Sequence, residues 1–267
     1  MGISMLHKKA LRWSAFFVCA LSALPAAALC PLSGQMETVW VERVVDGDTL
    51  RLADGRRIRL IGINAPELGG QGRPGEPYAQ AARRYISARV EESSGRLHLL
   101  PGVERRDAHG RELAHLYDNQ GRNLAALLLG EGLAFQVAVA PNLRLVECQR
   151  QVELQARKAR LGLWSNDPQV TPGQLVQAGF ALVQGRVERV ERNRGGVWLE
   201  LEGGLVLRIK PQGLRAFRYV DLPALTGRVV EARGWIVERK RRSPEQARWL
   251  LDLQHPALLA EPEKAGM

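Results

Sequence analysis

Cysteine is scarce in this chain, acidic charge is in deficit, and the apolar run from Trp13 to Leu24 is too short to serve as a permanent membrane helix. Each shortage excludes something. No transmembrane anchor is expected, and the run has the layout of an export signal instead. Lys8, Lys9 and Arg12 precede it, and Pro25 and the small residues Ala26 to Ala28 follow. That arrangement predicts a signal peptide over 1–28, cleaved after Ala28, and a secreted product in the periplasm or outside the cell. A lipoprotein signal competes because Cys30 is close, but Leu29 is bulky where that signal takes a small residue. There are three cysteines, and Cys19 lies within the leader. The remaining Cys30 and Cys148 form an even count in an oxidising compartment, which reads as one disulfide. The alternative is a buried free thiol at Cys148 with Cys30 loose in the tail. The acid deficit gives a formal charge of +10, and removing three basic residues with the leader leaves 10 − 3 = +7. A basic protein favours polyanionic partners such as nucleic acid or a membrane surface, although charge alone identifies no site.

The informative stretch is VVDGDTLRLADGRRIRLIGINAPE, from Val44 to Glu67. Asp46 and Asp48 share one tight turn, and Asp54-Gly55 predicts a hairpin between two short strands. The returning strand and the loop after it then carry Arg59, Asn64 and Glu67. Carboxylate and amide oxygens suit a hard cation such as calcium. A guanidinium fork suits a phosphate, and a free carboxylate nearby can activate water. Charges that are merely solvated account for Asp54, Arg56 and Arg57, but not for the whole group.

From Thr38 to Ile63 apolar residues fall on both strand faces, as in a small closed barrel. A Gly- and Pro-rich loop ends at Pro77, a good first-turn residue for a helix over Tyr78 to Glu92. A strand near Leu97 to Leu100 leads to a second hairpin turning at His109-Gly110, with Asp107 and Arg111 on either side. From this segment alone a solvated arginine answering Asp107 is the simpler reading of Arg111. Leu124 to Gly132 reads as a short helix and Phe135 to Val139 as extended chain. A longer helix has its apolar stripe at Leu145, Cys148, Val152, Ala156 and Ala159 and closes at Gly162-Leu163-Trp164, the Trp being a core anchor. Beyond Pro168 the register changes. Five strand-like runs, Val183–Val190, Val197–Leu201, Leu205–Ile209, Val229–Val237 and Trp249–Leu253, with a short helical connection near Leu214 to Arg218, fit a second small barrel of OB type. Trp198, Trp235 and Trp249 could serve as stacking platforms, but alternation puts most of them among the barrel's core residues. The expected organisation is a tail over 29–37, a first domain over 38–168, a linker over 169–175, a C-terminal barrel domain over 176–258 and a disordered tail over 259–267. The fold class is mainly β with helices, α+β.

The blocks VDGDTLRL, RLIGINAPE, DAHGRELAHLY, LLLGEGLA and GLW occur in an order and spacing that resembles the staphylococcal nuclease, or thermonuclease, family from about Thr38 to Trp164. The resemblance implies a five-stranded OB barrel with three helices. It also implies calcium-dependent hydrolysis of DNA and RNA, breaking the bond to the 5′ oxygen. Carried over residue by residue, Asp48, Asn64 and the backbone carbonyl of Ala65 would ligate the metal, with Asp46 as a supporting acid. Glu67 would be the general base or water-orienting group, and Arg59 and Arg111 would clamp the phosphate.

Two departures stand out. Asn64 occupies a place where the family usually has Asp, which removes a formal charge while keeping an oxygen ligand. Ligand charge sets calcium affinity over many decades, so binding at about millimolar calcium, or another divalent cation, is expected. The family also places tyrosines beside the nucleotide, where this chain reads FQVAVAPN, with Ala138 and Ala140 near those places. The grip on substrate must then come from elsewhere, and the second barrel is the obvious source. A rival reading is a non-catalytic nucleic-acid or protein binding module on a degenerate nuclease domain.

Overall fold

The computed structural model describes residues 29–70, 72, 74–240, 243 and 246–261; the signal-peptide reading over 1–28 lies outside them. Strands β1 (Glu37–Val44), β2 (Thr49–Leu52) and β3 (Arg57–Leu60) form a meander, followed by the short β4 (Ile63–Asn64). Helix α1 (Ala79–Glu92) leads to β5 (Arg96–Arg106) and β6 (Glu112–Tyr117), and α2 (Leu124–Gly130), β7 (Phe135–Gln136) and α3 (Val146–Lys158) complete the first half. The five strands close as β1-β2-β3-β6-β5, with β3 and β6 parallel and the other pairs antiparallel. Their inward residues, among them Leu50, Leu52, Ile58, Leu60, Leu97 and Leu116, are buried together with Ile86 of α1 and Leu128 of α2. Apolar residues on both faces of the strands are thereby explained. One face fills the barrel and the other meets helices.

The second half repeats this ring. Strand β8 (Gln169–Val170) joins β9 (Gly179–Asn193), β10 (Gly196–Leu201), β11 (Leu205–Ile209), β12 (Val229–Glu238), β13 (Trp249–Asp252) and β14 (Leu259–Ala260) in one sheet. The pairing of β12 with β9 closes it as β9-β10-β11-β13-β12. In both rings the strand order is first, second, third, fifth, fourth, and the third and fifth strands run parallel. That is the OB topology twice over. The protein is α+β, with two small barrels.

Several local expectations need correction. Helix α1 starts at Ala79, because Tyr78 sits in the left-handed region at φ 67 as its N-cap, so Pro77 precedes the helix. Near Leu214 to Arg218 the chain makes a 3-10 turn at Pro211–Gly213 and further turns, and no α-helix. Gln169–Val170, expected in a linker, and Leu259–Ala260, expected in a disordered tail, are both strands paired to the second barrel. Trp249 is buried at 3% exposure, whereas Trp235 is 46% exposed, so the core expectation fails for Trp235. The disulfide is present between Cys30 and Cys148, with Cα atoms 5.7 Å apart, and ties the N-terminal segment to α3.

The two barrels meet over α3 and β7. Arg233 of β12 reaches Glu153 of α3 at 2.6 Å and Glu231 at 2.9 Å, and Arg157 holds Glu231 at 2.7 Å. Phe135 packs on Trp164 and on Phe180 of β9, each pair with ring centres 5.5 Å apart. Charges buried at a junction are tolerable only when paired in this way.

Candidate active site

The turn before β2 sets the geometry. Gly47 lies between Ala65 and Ala82, and a Cβ there would stand 2.8 and 2.7 Å from theirs, so only glycine lets the turn dock. Docking buries Asp48 at 2% exposure, and its Oδ2 accepts the Ala65 N–H at 2.8 Å and faces Arg59 Nη1 at 2.9 Å. Arg59, on β3 and 8% exposed, also donates to the carbonyls of Leu60 and Ile63 at 3.2 and 2.9 Å and to Asn64 Oδ1 at 3.2 Å. Each of these partners comes from within a few residues of the hairpin. The guanidinium is therefore held in one orientation before any substrate arrives.

Arg111 enters from the second hairpin. Its Nε pairs with Asp107 at 2.7 Å and its Nη1 donates to Thr49 Oγ1 at 3.3 Å; that hydroxyl in turn donates to Asp48 Oδ1 at 3.1 Å. The solvated pair with Asp107, the simpler explanation for Arg111, is present, but the side chain also extends over β2 to the Asp48 cluster. Glu67 keeps an exposed side, and its loop is fastened by Glu76, whose carboxylate accepts the Glu67 N–H at 2.9 Å and whose own N–H returns to the Glu67 carbonyl at 2.9 Å. Asp46, Asp48, Arg59, Asn64, Ala65 and Arg111 are linked by these contacts, and Glu67 lies in the field of Asp46, Arg59 and Arg111. Thr49 and Glu76 were missed. The Thr within VDGDTLRL was the available signal for the first, but nothing local marks the second.

Burial acts on both carboxylates in the same direction. Burial pushes the Asp48 carboxyl up to about 7, with Asp46 adding to the push and Arg59 opposing it. Partial burial raises Glu67 above the usual carboxylate range, helped by Asp46 and opposed by Arg59 and Arg111. A buried acid that one guanidinium does not fully compensate is a place where further positive charge is favoured. The donor types expected from the sequence, a carboxylate, an amide oxygen and the Ala65 carbonyl, are hard oxygens and fit calcium in kind. Charge is low, however: among the described residues no group of three or more His, Cys, Asp or Glu could hold a metal.

A cleft of about 340 Å³ opens beside the two arginines. Arg59 and Arg111 line it from the first barrel with Val137 and Val139, and Trp235 and Gln254 line it from the second. The residues of FQVAVAPN that face the cleft are therefore Val137, Val139 and Asn142, while Ala138 is fully buried.

A family model described as staphylococcal nuclease homologue matches residues 57–166. The thermonuclease of Staphylococcus intermedius is 32% identical over 131 residues, covering 48% of this chain and 76% of the relative. This protein belongs to the staphylococcal nuclease family. Endonuclease YncB of Bacillus subtilis (strain 168) is 31% identical over 142 residues, covering 51% of this chain and 66% of the relative. A probable endonuclease LCL3 of Schizophyllum commune is 33% identical over 120 residues, 40% of each chain. The family match over 57–166 includes Arg59, Glu67, Arg111 and Trp164 and ends before the second barrel. Within the nuclease family frame, the second barrel is an added body that reaches into the cleft.

Proposed function

We propose that this nuclease is an exported, calcium-dependent phosphodiesterase that cuts DNA and RNA without sequence preference. The observation that carries the reading is the interlocked set Asp48–Arg59–Asn64, joined to Arg111 through Thr49, with Glu67 in the field of both arginines. A phosphodiester is anionic and repels a nucleophile, so catalysis needs positive charge that acts most strongly on the five-coordinate transition state. Arg59 and Arg111 supply it in fixed directions. Glu67, raised above the usual carboxylate range by partial burial, is suited to orient a water and take its proton. Asp48, Asn64 Oδ1 and the Ala65 carbonyl would hold calcium, with Asp46 behind them, and the bound cation would add Lewis-acid charge against the phosphate. Export is supported by the disulfide, which an oxidising compartment preserves. No helix among the described residues is long and apolar enough to cross a membrane. The domain division at about 168 rests on the two closed rings.

The second reading, a binding module without catalysis, is favoured by the neutral Asn64 and the low charge of the donor set. One experiment separates the two. Mature protein is incubated with single- and double-stranded DNA and with RNA across a calcium titration, with chelator and Glu67→Gln as controls. Calcium-dependent cleavage lost in Glu67→Gln supports the enzyme, and chelator-insensitive binding without cleavage at any calcium level supports the module.

A further inference from the structure

Along β12 the side chains of Glu231, Arg233 and Trp235 alternate onto one face, the face turned toward the nuclease barrel. Docking buries the first two against α3, and Trp235 emerges beyond the junction at 46% exposure, into the cleft that holds Arg59 and Arg111. Among the described residues lining that cleft Trp235 is the one aromatic. Its position is braced: it pairs with Phe180 across the strands, with ring centres 5.3 Å apart and planes at 71°, and Phe180 packs on Phe135 and through it on Trp164. A large ring held by a row of rings loses little freedom on binding, which makes it an effective platform.

The cleft suits an uncharged planar group beside a phosphate. Arg59 and Arg111 line it together with Glu104 and with Asp107, which is paired to Arg111, so the same cleft also carries negative charge. A second phosphate would gain nothing there. The rest of the lining includes Ile61, Leu113, Val137 and Val139, with the amides of Asn142 and Gln254, so apolar surface stands beside groups able to meet a base edge. We propose that Trp235 of the second barrel stacks on the nucleobase next to the phosphate held by Arg59 and Arg111, so that the C-terminal barrel completes the substrate site. This rests on the nuclease reading of the arginine pair. It assigns the second barrel a part in positioning substrate, with no role in the chemical step.

The test uses the full mature chain as wild type, Trp235→Ala and Trp235→Phe. Binding of a labelled short oligothymidylate, and of a strand of equal length made of abasic deoxyribose phosphates, is followed by fluorescence anisotropy with chelator present. Cleavage of the oligothymidylate is measured separately with calcium. Base stacking lost by alanine substitution corresponds to about 5- to 150-fold weaker binding. Trp235→Ala is expected to weaken the oligothymidylate by that factor, to change the abasic strand by less than about 2-fold, and to raise KM far more than it lowers kcat. Trp235→Phe should recover most of the loss, since every base presents a face to any aromatic ring. Equal weakening of both strands, or no change with either, overturns the platform, as does an Ala variant that only lowers the unfolding midpoint. If wild type binds with base dependence on Trp235 but never cleaves, the platform stands and the enzyme reading fails.

Discussion

Replacing Arg233 by methionine removes one charge from the junction of the two barrels while keeping most of the side-chain volume. Arg233 is buried, donates to Glu153 Oε2 at 2.6 Å and to Glu231 Oε1 at 2.9 Å, and lies 6.0 Å from the Trp164 ring. The two acids do not suffer equally. Burial works against Glu231 ionising, yet Arg157 and Arg233 together hold it below the usual carboxylate range, and Arg157 would remain with bonds of 3.1 and 2.7 Å. Glu153, 2% exposed, would be left with the Gln136 N–H at 2.7 Å. The substitution therefore strands one buried carboxylate, a change that typically costs about 3–5 kcal/mol. Adding Glu153→Gln removes that charge and keeps an acceptor for Gln136, so the double variant should return to within about 1–2 kcal/mol of wild type. Guanidinium unfolding followed by circular dichroism measures both, and limited proteolysis reports whether the barrels separate. A single variant that loses less than about 1 kcal/mol, or a double variant no more stable than the single, would refute the argument that paired charge docks the barrels.

Arg111→Ala should lower kcat by about a hundredfold or more with little change in the unfolding midpoint, because the residue is only half-buried and anchors nothing in the core; steady-state kinetics on a defined oligonucleotide decide. Asn64→Asp should tighten calcium binding about tenfold or more by restoring a ligand charge, read by isothermal titration calorimetry, and unchanged affinity would remove Asn64 from the ligand set. Replacing both Cys30 and Cys148 by Ser opens a loop of 118 residues and should reduce stability by about 4–5 kcal/mol, measured by denaturant unfolding without reductant. His115, fully enclosed, is held down to about 4 by burial and then by Arg144. Its folded form resists the proton that the unfolded chain accepts near 6.5, so stability is intact above that pH and falls as pH drops from about 6.5 to 4, by up to about 3 kcal/mol. His115→Leu should flatten that acid limb in unfolding curves taken from pH 7 to 4, and an unchanged limb would rule the histidine out.

Local pattern carried much of the fold. The hairpins at Asp54-Gly55 and His109-Gly110 were legible because each has glycine at positive φ, 89° and 74°, which a two-strand turn demands. The strands of the second barrel were legible from alternation, since a half-buried strand must change environment at every residue. The site was legible for the same reason: Asp48, Arg59 and Asn64 belong to one hairpin, so short-range geometry brings them together. Trp235 was misread because alternation shows that residues share a face without showing what covers it. Its neighbour Arg233 is buried by α3, a contact across 80 positions of sequence, and Trp235 lies just past the edge of that cover. The bracing of Glu67 by Glu76, the reach of Arg111 to Thr49 and the docking of the barrels likewise depend on where separate segments meet. By itself the chain's sequence determined the family, the two barrels and the charged hairpin, through periodicity and turn chemistry that act over a few residues. Only the tertiary structure decided that the second barrel stands against the cleft, because that placement arises from burying Arg233, Glu153 and Glu231 together, a balance of desolvation and pairing that no local pattern encodes.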